Sequence, residues 1–129
     1  MNRELKFRAW DKIDNKMYDI IGYSKIGNYL IPNEEIVFFN NKVSKISDCV
    51  IMQYTGLKDC NGKDIYEGDI LKITYSHKSF ITERIGKVIY GSLGRFQLKG
   101  KNIHCAFNHI VNFNMEIIGN IYENPELIK

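Results

Sequence analysis

Two prolines in 129 residues leave the backbone few enforced breaks, and no run approaches the ~18 consecutive apolar residues that a membrane-spanning helix needs. A helical membrane protein is excluded. Residues 1–4 lead directly into alternating sequence with no apolar signal core, as expected of an intracellular chain. Cysteine is scarce and odd in number: Cys49, Cys60 and Cys105 lie far apart, a poor disulfide framework that reads as free thiols in a reducing compartment. Also missing are a phosphate-cradling glycine loop, a nucleophile elbow and a CxxC pair. These gaps argue against an enzyme and leave no reason to expect a cofactor.

What is present suits a folded β protein. Hydrophobic residues make up 44% and charged residues 26% of the chain, ordinary values for a globular domain. A chain of this length buries roughly two-thirds of its unfolded surface, enough for a core without staples. Residues 4–10 alternate Leu5, Phe7 and Ala9 against Lys6, Arg8 and Trp10, and residues 11–15 supply a turn before 16–20, a hairpin pattern. Trp10 is expected in a core or at a subdomain interface. Gly22, Gly27, Asn28 and Pro32 mark 22–33 as loop with short extended pieces. Residues 34–39 form another strand, with Asn40 and Asn41 turning after it. A short helix between 33 and 48 is the one helical element the pattern leaves room for.

Beyond residue 48 the punctuation is denser. The run YTGLKDCNGKDIYEGDI, from Tyr54 to Ile70, follows a strand-like stretch over 49–55 and places Gly56, Gly62 and Gly68 where the backbone bends. Asn61-Gly62 predicts a type I′ turn, because both central residues of that turn need positive φ. After it, strands are expected at 69–76, 81–90, 94–99, 103–107 and 115–122, joined by links at 76–79, 91–94, 100–102 and 108–114. Five short strands with tight links have the rhythm of a small SH3-like barrel, whose closure would hide its sheet edges. The fold class is therefore mainly β, with a boundary near residues 48–68: an N-terminal β-rich subdomain over 1–53 and a barrel subdomain over 54–129.

The same run, together with Lys6-Phe7-Arg8-Ala9-Trp10-Asp11 near the start and IGNIYENPEL from Ile118 to Leu127, resembles the YopX family of phage and prophage proteins. The three motifs stand in the same order and span nearly the whole chain. The resemblance implies an SH3-like barrel in the C-terminal part, a phage setting in the cytoplasm of a bacterial host, and no established biochemical activity. Cys60, between Asp59 and Asn61, departs from the pattern inside a turn, where it has little bearing on the fold.

Charge gives the functional expectation. Between residues 70 and 115 stand Lys72, Lys78, Arg84, Lys87, Arg95, Lys99 and Lys101 against Glu83 alone, a net +6. Tyr75, Phe80, Tyr90 and Phe96 interleave with them. Cations tracking phosphates and aromatic faces stacking on bases are how single-strand nucleic-acid binders work, so these seven cations and Phe80 are the candidate contacts. Tyr75, Tyr90 and Phe96 fall at alternating positions that should point inward, leaving Phe80 and the 91–95 loop as the exposed candidates. The competing reading is a core of aromatics under a solubilising lysine surface. A second function class is protein interaction or assembly, in which the chain forms a homo-oligomer or docks on a phage or host protein.

Catalytic and metal readings are weaker. The acidic run Asp59, Asp64, Glu67 and Asp69 fails as an EF-hand: its glycine is fourth rather than sixth, and Ile70 stands where the bidentate Glu is required. Turn carboxylates such as Asp64 and Asp69 more often cap backbone N–H groups than act as acid and base. His104 and Cys105 are zinc-ligand types, but neighbours on a strand point to opposite faces. No metal site is assigned, and His109 and His77 are read as surface residues.

Overall fold

A computed structural model describes residues 4–27, 32–38, 42–91 and 94–128. The expected turn at Asn40 and Asn41, Asn28, and the middle of the 91–94 link lie outside the described residues. The chain divides into two compact units, residues 1–53 and 54–129, and every strand pairing in both is antiparallel.

In the first unit β1 (Phe7–Asp11), β2 (Lys16–Gly27), β3 (Pro32–Phe38) and β4 (Val43–Lys45) lead through a 3-10 turn at Ile46–Asp48 into β5 (Cys49–Lys58), with the order β4-β3-β2-β1-β5. Its core is small: Ala9, Ile36 and Phe38 are buried, with Tyr18, Ile20, Ile46 and Cys49 packed against them. The Tyr18 and Phe38 rings stack at 4.5 Å. Residues 22–27 are strand, not loop: Gly22 pairs with Val37 and Gly27 with Pro32. The register shifts between Ile20 and Gly22, so Gly22 marks a bulge, a use of strand glycine that looks like a break in sequence. Pro32 opens β3, where its missing N–H is tolerated. Trp10 is half-buried. No α-helix occurs among the described residues, and the helical element left open between 33 and 48 is the single 3-10 turn.

The second unit takes the rest of β5 and pairs it with β6 (Asp64–Tyr66). Then follow β7 (Asp69–His77), β8 (Phe80–Tyr90), β9 (Phe96–Lys99), β10 (His104–Ala106) and β11 (Asn114–Asn120), in the order β10-β9-β8-β7-β11. The five expected strands are present, but their sheet does not close into a barrel: β10 and β11 are its outer strands. β10 is only three residues long, and the 3-10 turn Phe107–His109 after it feeds buried Phe107 and Ile110 into the core. Side chains thus cover what closure would have covered. Leu71, Ile73, Val88, Leu98 and Met115 fill the same core from one face of the sheet, with Ile65 of β6.

The YTGLKDCNGKDIYEGDI run is a set of backbone fasteners. The reversal at Asn61 is there, but it is not type I′. Gly62 N donates to Asp59 O at 3.0 Å and Asp59 N to Lys63 O at 2.8 Å, and of the turn residues Gly62 alone has positive φ, at 81°. This is a three-residue loop closed by a left-handed glycine. The selector is Asp59, which is 7% exposed. Its Oδ1 accepts from Asn61 N and Lys63 N, both at 2.9 Å, and its Oδ2 from Ile117 N at 3.0 Å. Burial alone would raise that carboxyl; the three N–H donors outweigh it and hold the group below its ordinary range. Asp69 likewise accepts from Tyr66 N at 2.8 Å. In the C-terminal motif Asn120 Oδ1 accepts from Tyr122 N and Glu123 N, and Asn124 Oδ1 from Asn120 N.

Candidate nucleic-acid interface

Residues directly opposite across an antiparallel pair share a face, so the registers sort the second sheet's side chains. Leu71, Ile73, Tyr75, Gly86, Val88, Tyr90, Phe96, Leu98 and Cys105 lie on the core face. Ile70, Lys72, Ile81, Ile85, Lys87, Gln97, Lys99, His104 and Glu116 lie on the outer face. Across that face one row runs from fully buried Ile70 through Lys87 and Lys99 to His104, each opposite the next.

Three cationic or ionisable side chains in succession are unusual, because like charges directly opposite are destabilising. Lys87 is half-buried, and Lys99 and His104 are exposed. Among the described residues none of the three forms an ion pair, nor does Lys101 in the turn that follows. His104 Nε2 meets Gln97 Oε1 at 3.2 Å, which adds an amide to the cluster. At ~4.8 Å between strands the row spans about 10 Å.

The other expected contacts are not gathered there. Lys72 is on the outer face but pairs with Glu116 at 3.4 Å, its opposite neighbour on β11. Arg84 is exposed on the other face, its guanidinium donating to Glu83 O at 3.1 Å. Lys78 sits at the β7–β8 turn with φ 55°, and Arg95 is exposed between β8 and β9. The seven cations therefore form one cluster, Lys87, Lys99 and Lys101, and four separate positions. The aromatics separate too: Tyr75, Tyr90 and Phe96 occupy the face away from that cluster, since residues an odd number apart on a strand point oppositely. Tyr75 and Tyr90, expected inward, are 42% and 54% exposed, because both stand where the sheet runs past its core. His104 and Gln97 complete the row and were not among the expected contacts; their place in it depends on the β9–β10 register.

Phe80 is 72% exposed and belongs to a separate feature. Among the described residues β11 pairs with β7 only as far as Thr74, and β9 with β8 only from Lys87 onward. Tyr75–His77 and Phe80–Thr82 thus pair with each other alone, as a two-stranded ribbon extending past the five-stranded sheet. At its end Phe80 and Ile81 are both 72% exposed.

Catalytic geometry is not assembled at the expected carboxylates. Asp59 and Asp69 are committed to backbone N–H groups, and Asp64 Oδ1 accepts from Lys58 Nζ at 2.6 Å. Cys105 is half-buried on the core face, where burial pushes its thiol up, and His104 is on the opposite one. Among the described residues no three His, Cys, Asp or Glu side chains converge to hold a metal. A second polar cluster lies in the first unit: buried Asp11 accepts from Ile13 N at 2.8 Å, Ser44 Oγ at 2.7 Å and Lys42 Nζ at 3.2 Å. Asp14, Tyr18 and Lys42 complete it, with the ammonium 4.8 Å from the Tyr18 ring centre. It ties the β1–β2 turn to β4. Among the described residues no helix is long and apolar enough to cross a membrane.

Together these features define an all-antiparallel β protein of two units with a cationic face on its second sheet. A family model described as YopX protein matches residues 6–129, and the chain belongs to that family. The membership brings no assigned catalytic activity. Protein EF1440 from Enterococcus faecalis, known from a crystal structure, is similar over 99% of this chain and 100% of its own, at 30% identity and a TM-score of 0.65. Protein yopX from Bacillus subtilis shares the fold over 96% of this chain and 95% of its own, at 24% identity and a TM-score of 0.59. No curated protein matches.

Proposed function

We propose that this chain is a non-catalytic binding module that associates with nucleic acid through the outer face of its second sheet, in the bacterial cytoplasm. The observation that carries this reading is the row Lys87, Lys99 and His104, placed side by side with no acidic partner among the described residues. A protein gains nothing in stability from opposed lysines; a polyanion repays them by releasing its counterions. With Lys101 beside the row, three lysines are available to phosphates, and the ~10 Å span covers about three steps of ~3.4 Å rise along one strand. Lys72, neutralised by Glu116, and Arg84, on the other face, are left out of the contact.

Fluorescence anisotropy of labelled duplex DNA titrated with the protein across a salt series tests this. Three neutralised phosphates give a log–log salt slope of about −2.7 on duplex. Replacing Lys87 and Lys99 with Glu is expected to abolish binding, and unchanged binding by that variant, or none by the wild type at low salt, refutes the reading.

A further inference from the structure

We infer that the nucleic acid is double-stranded DNA, and that the β7–β8 ribbon acts on it as a wedge: its end, with Ile81 on the face of the Lys87–Lys99 row and Phe80 on the opposite face, enters between base pairs while that row holds the phosphate backbone. The inference rests on the binding reading above and adds to it the form of the ligand and the action upon it.

Two observations lead to it. Single-strand recognition needs aromatic faces beside the cations, so that bases stack where phosphates are held. Here Tyr75, Tyr90 and Phe96 are on the opposite side of the sheet from Lys87 and Lys99. A single strand lying along the lysine row meets Ile85, Gln97 and the small ring of His104 but no Phe, Tyr or Trp side chain of these strands. A duplex needs none there, since its bases are already stacked and it presents phosphates alone.

The second observation is the ribbon. β8 is one continuous strand carrying Lys87 at the row and Ile81 near its turn, both on the outer face. Six residues at ~3.3 Å each separate them by about 20 Å, so the ribbon reaches past the bound phosphates toward a groove. Between residues 75 and 84 Lys78 and Arg84 oppose Glu83, a nearly neutral stretch; its exposed side chains are apolar instead, Ile81 on the face of the row and Phe80 and Tyr75 on the other. Proteins that bend DNA insert such apolar wedges at base steps and kink the duplex by roughly 20–90°. A cationic row and an apolar finger on the same strand supply both halves of that action.

The test uses a 30-base-pair duplex labelled at its two ends with a fluorescence-transfer pair, and the full chain. Wild-type protein is expected to raise transfer by the amount a kink of at least ~20° requires. The double variant Phe80→Ser, Ile81→Ser, with its fold checked by circular dichroism, is expected to keep the wild-type salt slope, lose affinity by no more than about tenfold, and lose the bend. Single variants at each position show intermediate bends. Duplex binding without bending, an unaltered bend in the double variant, or tighter binding to a 30-nucleotide single strand overturns the wedge while leaving the lysine row in place. Self-association of the protein in sedimentation that is abolished by the same two substitutions, with no effect on bending, assigns the ribbon to a protein contact and also overturns it. No DNA binding at low salt, or binding indifferent to Lys87→Glu with Lys99→Glu, removes the underlying reading itself.

Discussion

Replacing Asp59 with Ala removes the acceptor of three backbone donors, Asn61 N, Lys63 N and Ile117 N, at 2.9–3.0 Å. The first two close the 59–63 loop, and the third fastens that loop to β11. Hydrogen bonds to a charged acceptor contribute about 1.5–3 kcal/mol each, and donors left buried cost 1–3. The three share one side chain and are not additive, so a total of about 3–5 kcal/mol is expected against a net stability of roughly 5–15 kcal/mol. For a chain of this length that lowers Tm by about 10–20 °C. Asp59→Asn costs less, because one amide oxygen still accepts while the NH2 group faces a donor. The sign with pH follows from the lowered carboxyl. Its stabilisation is complete above the unfolded-state pKa of about 3.9 and is lost as pH falls through the lower folded value. Wild-type protein should therefore lose stability below about pH 4, and Asp59→Asn should flatten that loss. Thermal melts by circular dichroism from pH 2.5 to 7 measure the magnitude; amide exchange at Asn61, Lys63 and Ile117 locates it. A Tm change under 3 °C for the Ala variant, with exchange at those amides unaltered, refutes this account of the turn.

Lys99→Glu converts an opposed pair of lysines into an attractive one, so it is expected to raise stability by a few tenths of a kcal/mol while weakening DNA binding; denaturant melts beside anisotropy separate the two effects. Gly100→Ala places a Cβ 2.1 Å from Ile85 O and 2.9 Å from Gly86 Cα, contacts with backbone that only a shift of β9 against β8 relieves, at a cost of about 1–3 kcal/mol in the same melts. Lys72→Ala removes an exposed pair with Glu116 and should change stability by less than ~1 kcal/mol and duplex affinity far less than Lys99→Ala does. Lys78→Gly relieves the positive φ of 55° at the ribbon turn and is expected to stabilise the hairpin by up to ~1 kcal/mol, read as a higher Tm.

The strands of the second unit were legible because, as in β7, Leu71, Ile73 and Tyr75 alternate with Lys72, Thr74 and Ser76, and a period of two has one structural meaning at that length. Gly22 and Gly27 misled because a glycine that relieves a bulge and a glycine that ends a strand look the same without the partner strand. Closure was out of reach for a related reason: whether β10 meets β11 depends on the path through residues 107–113, where Phe107 and Ile110 turn into the core. At the interface, parity already separated Arg84 from Lys87 and Tyr90 from Lys87. That Lys87 stands opposite Lys99, and Lys99 opposite His104, depends on registers across links whose lengths do not dictate them.

The side chains by which the family is recognisable, Asp59, Asp69, Asn120 and Asn124, spend their polar atoms on backbone amides. Lys87, Lys99 and Lys101 have no such bond among the described residues. Any chain that carries the same clamps is free to place lysine, glutamine or glutamate at those three positions and fold alike. The YopX signature thus reports a scaffold and leaves unspecified the sheet face on which Lys87 and Lys99 stand.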